Sequence, residues 1–440
     1  MSVKSKYNFL VLLAAFTVSF CASNTLMAQK SFNSPYSALG IGELYSDAYS
    51  DNTAMGSAGV STGSGFQVNN LNPALWVRNR FTTFDFGIVG QYKEIQTGTK
   101  HQKNAAGNLG YVNLSFPVST KWNLGVSLKP YSFVGYENTS YKLLPGATIA
   151  AFSETKTYGT GGINKVSFTN SFQIGKYLSL GLESSYFFGN IRRASEVTLG
   201  FASSSNYPLP PGAEYQVGLN ERTIVSDFSF KGGLALKVPI RKDKKLFWNL
   251  GGTYSLGSQL NSTRTTSFEL TQGGSNIVAP DTLENDLGGS LTLPAIYQVG
   301  TSFEWPFKLI LAVDYSYQDW SNYRGFTNTN EGLLSVGRIH AGAEYLPNFN
   351  SLNYFNIVRY RLGFSHGNMP YTINGKQGQD TNLSLGVTFP MGGRYSNYIS
   401  VAFVGGRRGS ASGGMVKETY GKMVLGITLM DRWFVKQKIE

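Results

Sequence analysis

Leu309-Ile310-Leu311-Ala312-Val313-Asp314-Tyr315-Ser316-Tyr317-Gln318 is the stretch that decides the fold. Leu309, Leu311, Val313, Tyr315 and Tyr317 occupy every second position, with Ile310, Ala312, Asp314, Ser316 and Gln318 between them. Successive side chains of a β-strand point to opposite faces, so the stretch carries two different stripes. Leu178, Leu180 and Leu182 alternate in the same way with Ser179, Gly181 and Glu183. Leu383, Leu385, Val387 and Phe389 alternate with Ser384, Gly386 and Thr388. A wall with lipid on one side and water on the other needs apolar residues only at alternate positions. The composition agrees, with 14% aromatic, 15% charged and 41% hydrophobic residues and 51 glycines in 440. A soluble chain of this length is ordinarily richer in charge and shows helical periodicity.

The alternation continues from Phe81 to the end of the chain. It predicts fourteen strands, beginning near Phe81, Gly107, Trp122, Ile163, Tyr177, Arg222, Leu246, Leu291, Phe307, Glu331, Ile357, Asp380, Tyr395 and Tyr420. Gaps after even strands are mostly short, such as Ser119-Thr120-Lys121, Gly175-Lys176 and Trp305-Pro306. Gaps after odd strands are mostly long, such as residues 138–162, 197–221 and 271–289. Short periplasmic turns alternating with long external loops are the expected topology of an outer-membrane barrel, and they put both termini in the periplasm. A soluble sandwich or propeller is the alternative, but it needs no such alternation and its strands run shorter. In the last strand Met423, Leu425, Ile427 and Leu429 lead to Trp433-Phe434, an aromatic girdle of the kind found at membrane interfaces.

Upstream of the strands lie two further segments. Residues 1–28 read as a secretory signal: Lys4 and Lys6 form a basic start, Phe9 to Phe20 an apolar run, and Leu26-Met27-Ala28 a small-residue cut before Gln29. The apolar run is short for a spanning helix. A lipoprotein signal would use Cys21, where the preceding Phe20 is too bulky. Cleavage removes Cys21, the only cysteine, and with it disulfide and thiolate-metal chemistry. It also removes Lys4 and Lys6 with no acid, lowering the formal charge of +12 by two. An exported basic protein meets phosphorylated lipid head groups or carboxylates rather than nucleic acid. Residues 29–80 lack sustained alternation and carry Gly40, Gly42, Gly56, Gly59, Gly63 and Gly65 with scattered apolar residues (Phe32, Leu39, Ile41, Leu44, Leu71, Trp76). A barrel of fourteen strands is wide enough to need filling. The segment is expected to be a plug in the lumen of the barrel of residues 81–440, with a disordered periplasmic tail as the alternative.

Ala54-Met55-Gly56-Ser57-Ala58-Gly59-Val60, followed by Asn69-Asn70-Leu71-Asn72-Pro73-Ala74, resembles the FadL family of outer-membrane transporters for long-chain fatty acids and other hydrophobic compounds. The resemblance continues, in order, through Leu311 to Ser321, Arg338 to Tyr345, Arg359 to Phe364 and Asn382 to Val387. It implies a fourteen-strand barrel with an N-terminal hatch, whose motif residues would be Gly56, Gly59, Asn72, Pro73 and Ala74. Leu75-Trp76 departs from the family, which more often has glycine there. Ser34-Pro35-Tyr36-Ser37 with Gly40 and Gly42 resembles a Bacteroidota branch, whose members need not carry fatty acids.

Catalysis finds little support. His101, His340 and His366 lie far apart in the sequence and in no metal-ligand spacing. Gly63-Ser64-Gly65 lacks the strand-turn-helix setting of a serine nucleophile. No catalytic residue, metal ligand or cofactor is assigned. Pro130 falls inside the third strand, where proline cannot donate to the ladder, so a local break or bulge is expected there. The family resemblance makes Pro130 a candidate for a lateral gate in the wall; an ordinary bulge near the rim is the alternative. Lys100, Lys103, Arg192, Arg193, Arg407 and Arg408 are placed at the outer rim, suited to lipopolysaccharide phosphates or carboxylate ligands. Two functions follow: passive passage of a hydrophobic small molecule past the plug, or service as a non-transporting subunit of a secretion or outer-membrane assembly complex. A transporter should contain a continuous apolar tunnel; a subunit should have a sealed lumen and a surface for other outer-membrane proteins. An open porin is disfavoured by the plug and by an expected scarcity of charge on lumen-facing positions.

Overall fold

The structure, a computed structural model, describes residues 33–144, 151–201, 215–241, 243, 245–272, 276–373, 375–392, 397–410 and 416–431. The predicted signal peptide and Trp433-Phe434 lie outside the described residues.

Fourteen antiparallel strands close into a ring. They are β1 (Thr82–Thr97), β2 (Lys100–Ser119), β3 (Trp122–Leu144), β4 (Ala151–Ile174), β5 (Leu178–Phe201), β6 (Tyr215–Arg241) and β7 (Leu246–Ser255 with Ser258–Gln272). There follow β8 (Asn276–Leu293 with Ile296–Trp305), β9 (Leu309–Asp319), β10 (Ser335–Tyr345), β11 (Arg359–Ile373), β12 (Lys376–Pro390), β13 (Tyr398–Arg408) and β14 (Lys417–Asp431). β14 pairs with β1 from Asp431↔Thr82 to Lys417↔Gln96, which closes the ring. The interruption in β8 falls at Pro294, which has no N–H for the ladder.

The predicted faces hold. Leu311, Val313, Tyr315 and Tyr317 are exposed outward, as are Leu182, Leu383 and Leu385, while Ala312, Asp314, Glu183 and Ser384 are buried inside. The outer connections differ from expectation. β1 and β2 join through the two residues 98–99, with Gly98 in the left-handed region at φ +57°. Within the expected loops, residues 138–144, 151–162, 197–201, 215–221, 271–272 and 276–289 are strand. β4 and β5 each run 24 residues, against 11 for β9, β10 and β13. At about 3.3 Å per residue a 24-residue strand is about 80 Å long, so even tilted by about 40° it rises about 60 Å, about twice the hydrocarbon core. Turn-forming residues such as Asn138, Ser140 and Gly200 resemble a loop locally, but pairing with a long neighbour keeps them extended.

The tall side has its own apolar core. Val134, Ile163, Ile191, Val225, Leu260 and Leu291 point inward and pack with Ile41 and with Trp320 and Tyr323 of the β9–β10 connection. That connection folds back into the ring, Thr292 and Arg324 exchanging backbone hydrogen bonds of 2.9 and 3.2 Å.

Candidate functional site

Residues 33–80 lie inside the ring. They contain two 3-10 turns (Pro35–Ala38 and Pro73–Arg78), one α-helical turn (Ser50–Ala54) and a two-residue strand (Glu43–Leu44). From Ser50 to Trp76 the segment travels around the inner wall against the strand order, and it passes mainly over glycines. Ser50 lies on Gly426 of β14 and Ala54 on Gly386 of β12. Gly56 and Met55 lie on Gly363 of β11 and Gly342 of β10. Val60 lies on Gly300 of β8 and Gly251 of β7, Pro73 on Gly233 and Gly181 of β6 and β5, and Trp76 on Gly125 of β3. These wall positions are nearly level, since Gly342 pairs with Gly363, Gly251 with Gly300 and Gly181 with Gly233. A Cβ on Gly342 would stand 2.5 Å from the Met55 carbonyl oxygen, and one on Gly386 2.5 Å from the Ala54 side chain. The wall is therefore bare where the segment runs against it.

The sequence-predicted residues are held at this level. Gly56 takes φ +67°; its N–H donates to Ser384 Oγ (2.8 Å), and His340 Nδ1 lies 2.8 Å from its carbonyl. The N–H groups of Gly59 and Val60 both donate to Asp314 Oδ2 (2.5 and 2.8 Å). Asn72 is fully buried; its Nδ2 donates to the carbonyls of Val60 (2.8 Å) and Leu234 (3.0 Å), and its Oδ1 accepts from Ala74 N–H. The Ala74 carbonyl in turn accepts from Ser171 Oγ (3.0 Å). Pro73 opens the 3-10 turn at a position that needs no N–H donor.

Three acids of the segment fasten it to wall cations. Glu43 meets Arg408 (2.6 Å) and Lys93 (3.3 Å). Asp47 meets Lys129 and Lys165 (3.0 Å each) and Lys231 (3.2 Å); Lys165 also pairs with Glu183. Asp51 meets Arg361 (2.8 Å), which also binds Glu344. Burial disfavours charge on Glu43, but the Arg408 guanidinium and the Lys93 ammonium outweigh it and hold the carboxyl down at about 2. Asp47 is likewise buried, and its lysines hold it well below the ordinary carboxylate range. The expected scarcity of lumen charge is thus wrong. Lys129, Lys165 and Lys231 sit at inward strand positions because the acids of the segment are there to meet them. Arg193 and Arg408 also depart from the predicted outer rim: Arg193 donates to the Gly40 carbonyl (2.6 Å) and Arg408 turns into the lumen.

Pro130 stands where the wall splits. The β2–β3 ladder runs only from Ser119↔Trp122 to Val112↔Leu128. Beyond it, β2 keeps its pairing with β1 and β3 its pairing with β4, with a register shift between Pro130 and Ser132. The inner segment takes the vacated edge of β3. Glu43 and Leu44 pair with Phe133 and Ser132, Tyr45 N–H donates to the Tyr131 carbonyl (2.9 Å), and Ser34 N–H to that of Gly135 (2.7 Å).

Two larger cavities remain in the lumen. The outer one, about 370 Å³, reaches the split at Gly110, Tyr111 and Tyr131. The basal one, about 500 Å³, opens among the short turns near Lys176 and Trp305. No described residue lines both. Among the described residues no three potential metal ligands come together.

A glycine-floored ring carrying a threaded N-terminal segment can now be set beside known proteins. The sequence pattern of the BamG family matches residues 10–440. The chain belongs to the BamG family. No curated protein matches it. Solved structures similar to this BamG-family barrel include the Pseudomonas putida toluene transporter TodX (13% identity, 90% of this chain and 100% of that one, TM-score 0.57). They include a Pseudomonas aeruginosa FadL homologue (14%, 88% and 99%, TM-score 0.53) and the Ralstonia pickettii toluene transporter TbuX (14%, 88% and 99%, TM-score 0.51). At these identities the likeness is one of fold, a β-barrel.

Sequence reasoning missed Asp47, Glu43 and their wall lysines and arginines. Their signal was present: Lys129, Lys165 and Lys231 each fall on the inward phase of an apolar alternation. It missed the wall glycines as a set, because each is unremarkable within its own strand.

Proposed function

We propose that this BamG-family protein is a sealed, non-conducting outer-membrane subunit, in which residues 29–80 form a fixed plug and the outer surfaces hold other proteins of a secretion or assembly complex. The observation that carries this reading is the fastening of the segment to the inner wall. The segment is fastened at Asp314, Ser384 and Ser171 and by the ion pairs of Glu43, Asp47 and Asp51, and the cavities on its two sides share no lining residue. Pulling the segment out would leave wall cations buried and unpaired, which disfavours a plug that moves. The last strand would end in the periplasm, at the short-turn end, whereas Ser34 and Gly40, held by Gly135 and Arg193, stand in the taller half of the ring, with Lys100, Lys103, Arg192 and Arg407 exposed toward lipopolysaccharide. Purification from native membranes tests the reading. Stable co-purifying outer-membrane proteins are expected; a lone barrel with an apolar molecule in its lumen would overturn it.

A second reading, passage of a hydrophobic small molecule, is favoured by one feature. The outer cavity carries Tyr45, Tyr111 and Tyr131 and lies beside the split at Pro130, a route from lumen to membrane that avoids water. Replacing Pro130 with threonine restores a donor to the ladder; unchanged uptake of a hydrophobic substrate would count against this exit. Deleting residues 30–76 and measuring ion conductance checks the plug itself, a rise being expected.

A further inference from the structure

The charges of the basal cavity do not balance. Three acids line it, Asp51, Glu304 and Glu344, and all are engaged. Lys237 holds Glu304 at 2.8 Å, Arg359 and Arg361 hold Glu344 at 3.5 and 2.7 Å, and Arg361 also holds Asp51. Arg78, Arg80, Lys176 and Lys308 line the same cavity, and no described acid pairs with them.

Arg78 is the sharpest case. Both its Nη atoms are closed off from solvent and lack a hydrogen-bond partner among the described residues, and so does Gln67 Nε2 on the same cavity. The Arg78 stem is fixed by close packing, since a Cβ on Gly63 would stand 2.5 Å from Arg78 Cδ. A buried guanidinium normally has a carboxylate or phosphate to bind. Every unmet group here is a donor, so the missing partner is an acceptor that carries negative charge. The lining also holds the rings of Phe66, Phe247 and Phe307. Lys176 and Lys308 stand on separate turns, apart from Arg78 on the inner segment, so one small anion meets only part of the excess. An extended chain with spaced carboxylates and apolar side chains meets several of these groups and the rings between them. The volume of about 500 Å³ suits a short segment of that kind.

We propose that the basal cavity docks an acidic, aromatic-bearing peptide segment of a partner protein on the periplasmic side. This deepens the subunit reading and rests on it. Binding of a labelled peptide of alternating glutamate and phenylalanine to the full-length protein in detergent, followed by anisotropy, is the test. It uses the isolated protein, so its result is separate from whether partners co-purify.

Saturable binding that weakens steeply with salt is expected, at least 10-fold weaker in Arg78→Met and about 3-fold weaker in Lys308→Gln. Arg78→Met keeps the stem packing and removes an unpartnered charge, so its thermal midpoint should stay level or rise. A merely structural arginine would instead lower it. No binding, or equal affinity in Arg78→Met, overturns the proposal. Inorganic phosphate or dodecanoate displacing the peptide at equal concentration also overturns it, since the site would then serve a free anion or a fatty-acid-like amphiphile. A peptide amidated at its C-terminus separates side-chain carboxylates, which would still bind, from a terminal carboxylate, which would not.

Discussion

The inner segment meets the wall in two ways, and the two places are opposites. Around residues 50–76 the wall is continuous and the segment lies flat on glycine, held by backbone donors to Asp314 and Ser384. Around residues 34–45 the wall is split between β2 and β3, and the segment itself supplies the missing pairing on β3. The first contact depends on shape, because nothing larger than hydrogen fits between wall and segment. The second depends on backbone hydrogen bonds and on the ion pairs of Glu43 and Asp47. One stretch of chain thus fills the barrel at one level and repairs its wall at another.

The difference can be broken from either side. The largest effect is expected at Asp47→Ala, which strands Lys129, Lys165 and Lys231 without an acid from the segment. Breaking a buried pair this way costs about 3–5 kcal/mol. Limited proteolysis should then cut residues 34–48 while the wall stays resistant; unchanged protection would show that shape alone holds the segment. Gly342→Ala should come next, at about 1–3 kcal/mol for overpacking against Met55, seen as a lower thermal midpoint. Its loosened region should be residues 54–60, with 34–45 still protected.

Acid provides a graded version. The folded pKa of Glu43 is depressed to about 2 and that of Asp47 lies well below the ordinary value. Their contribution is therefore complete above the unfolded pKa and is lost as pH falls from about 4.5 toward 2. Pepsin should release residues 34–48 progressively over that window, and equal protection at pH 5 and pH 2.5 would contradict the role given to these pairs. The smallest effect is expected at Pro130→Thr, a change of under about 1 kcal/mol because the β3 edge is already partly met by the segment. Hydrogen exchange at Val112 and Leu128 should slow if the ladder lengthens.

The fold was legible because lipid imposes a rule on every second residue. Leu309 to Gln318 and Leu383 to Phe389 show it in full, and their exposed faces are those expected. The outer loops were misread because turn residues such as Asn138 mark a turn only when no partner strand stands beside them. Gly56, Gly59, Asn72, Pro73 and Ala74 are singled out in the sequence by family resemblance alone. Their partners were not legible, since Ser384, Asp314 and Ser171 lie from 97 to more than 300 residues away in sequence. Pro130 announced an irregularity, but nothing local to it said that the ladder to β2 would end at Leu128.

By itself the sequence determined an alternating, fourteen-strand wall with a glycine-rich segment before it, because periodicity and composition are local properties. Only the tertiary structure decided how that segment is held. Closing the ring brings inward glycines from distant strands to one level and sets wall lysines and arginines around Glu43, Asp47 and Asp51. Such juxtapositions depend on register and closure, which no single strand encodes.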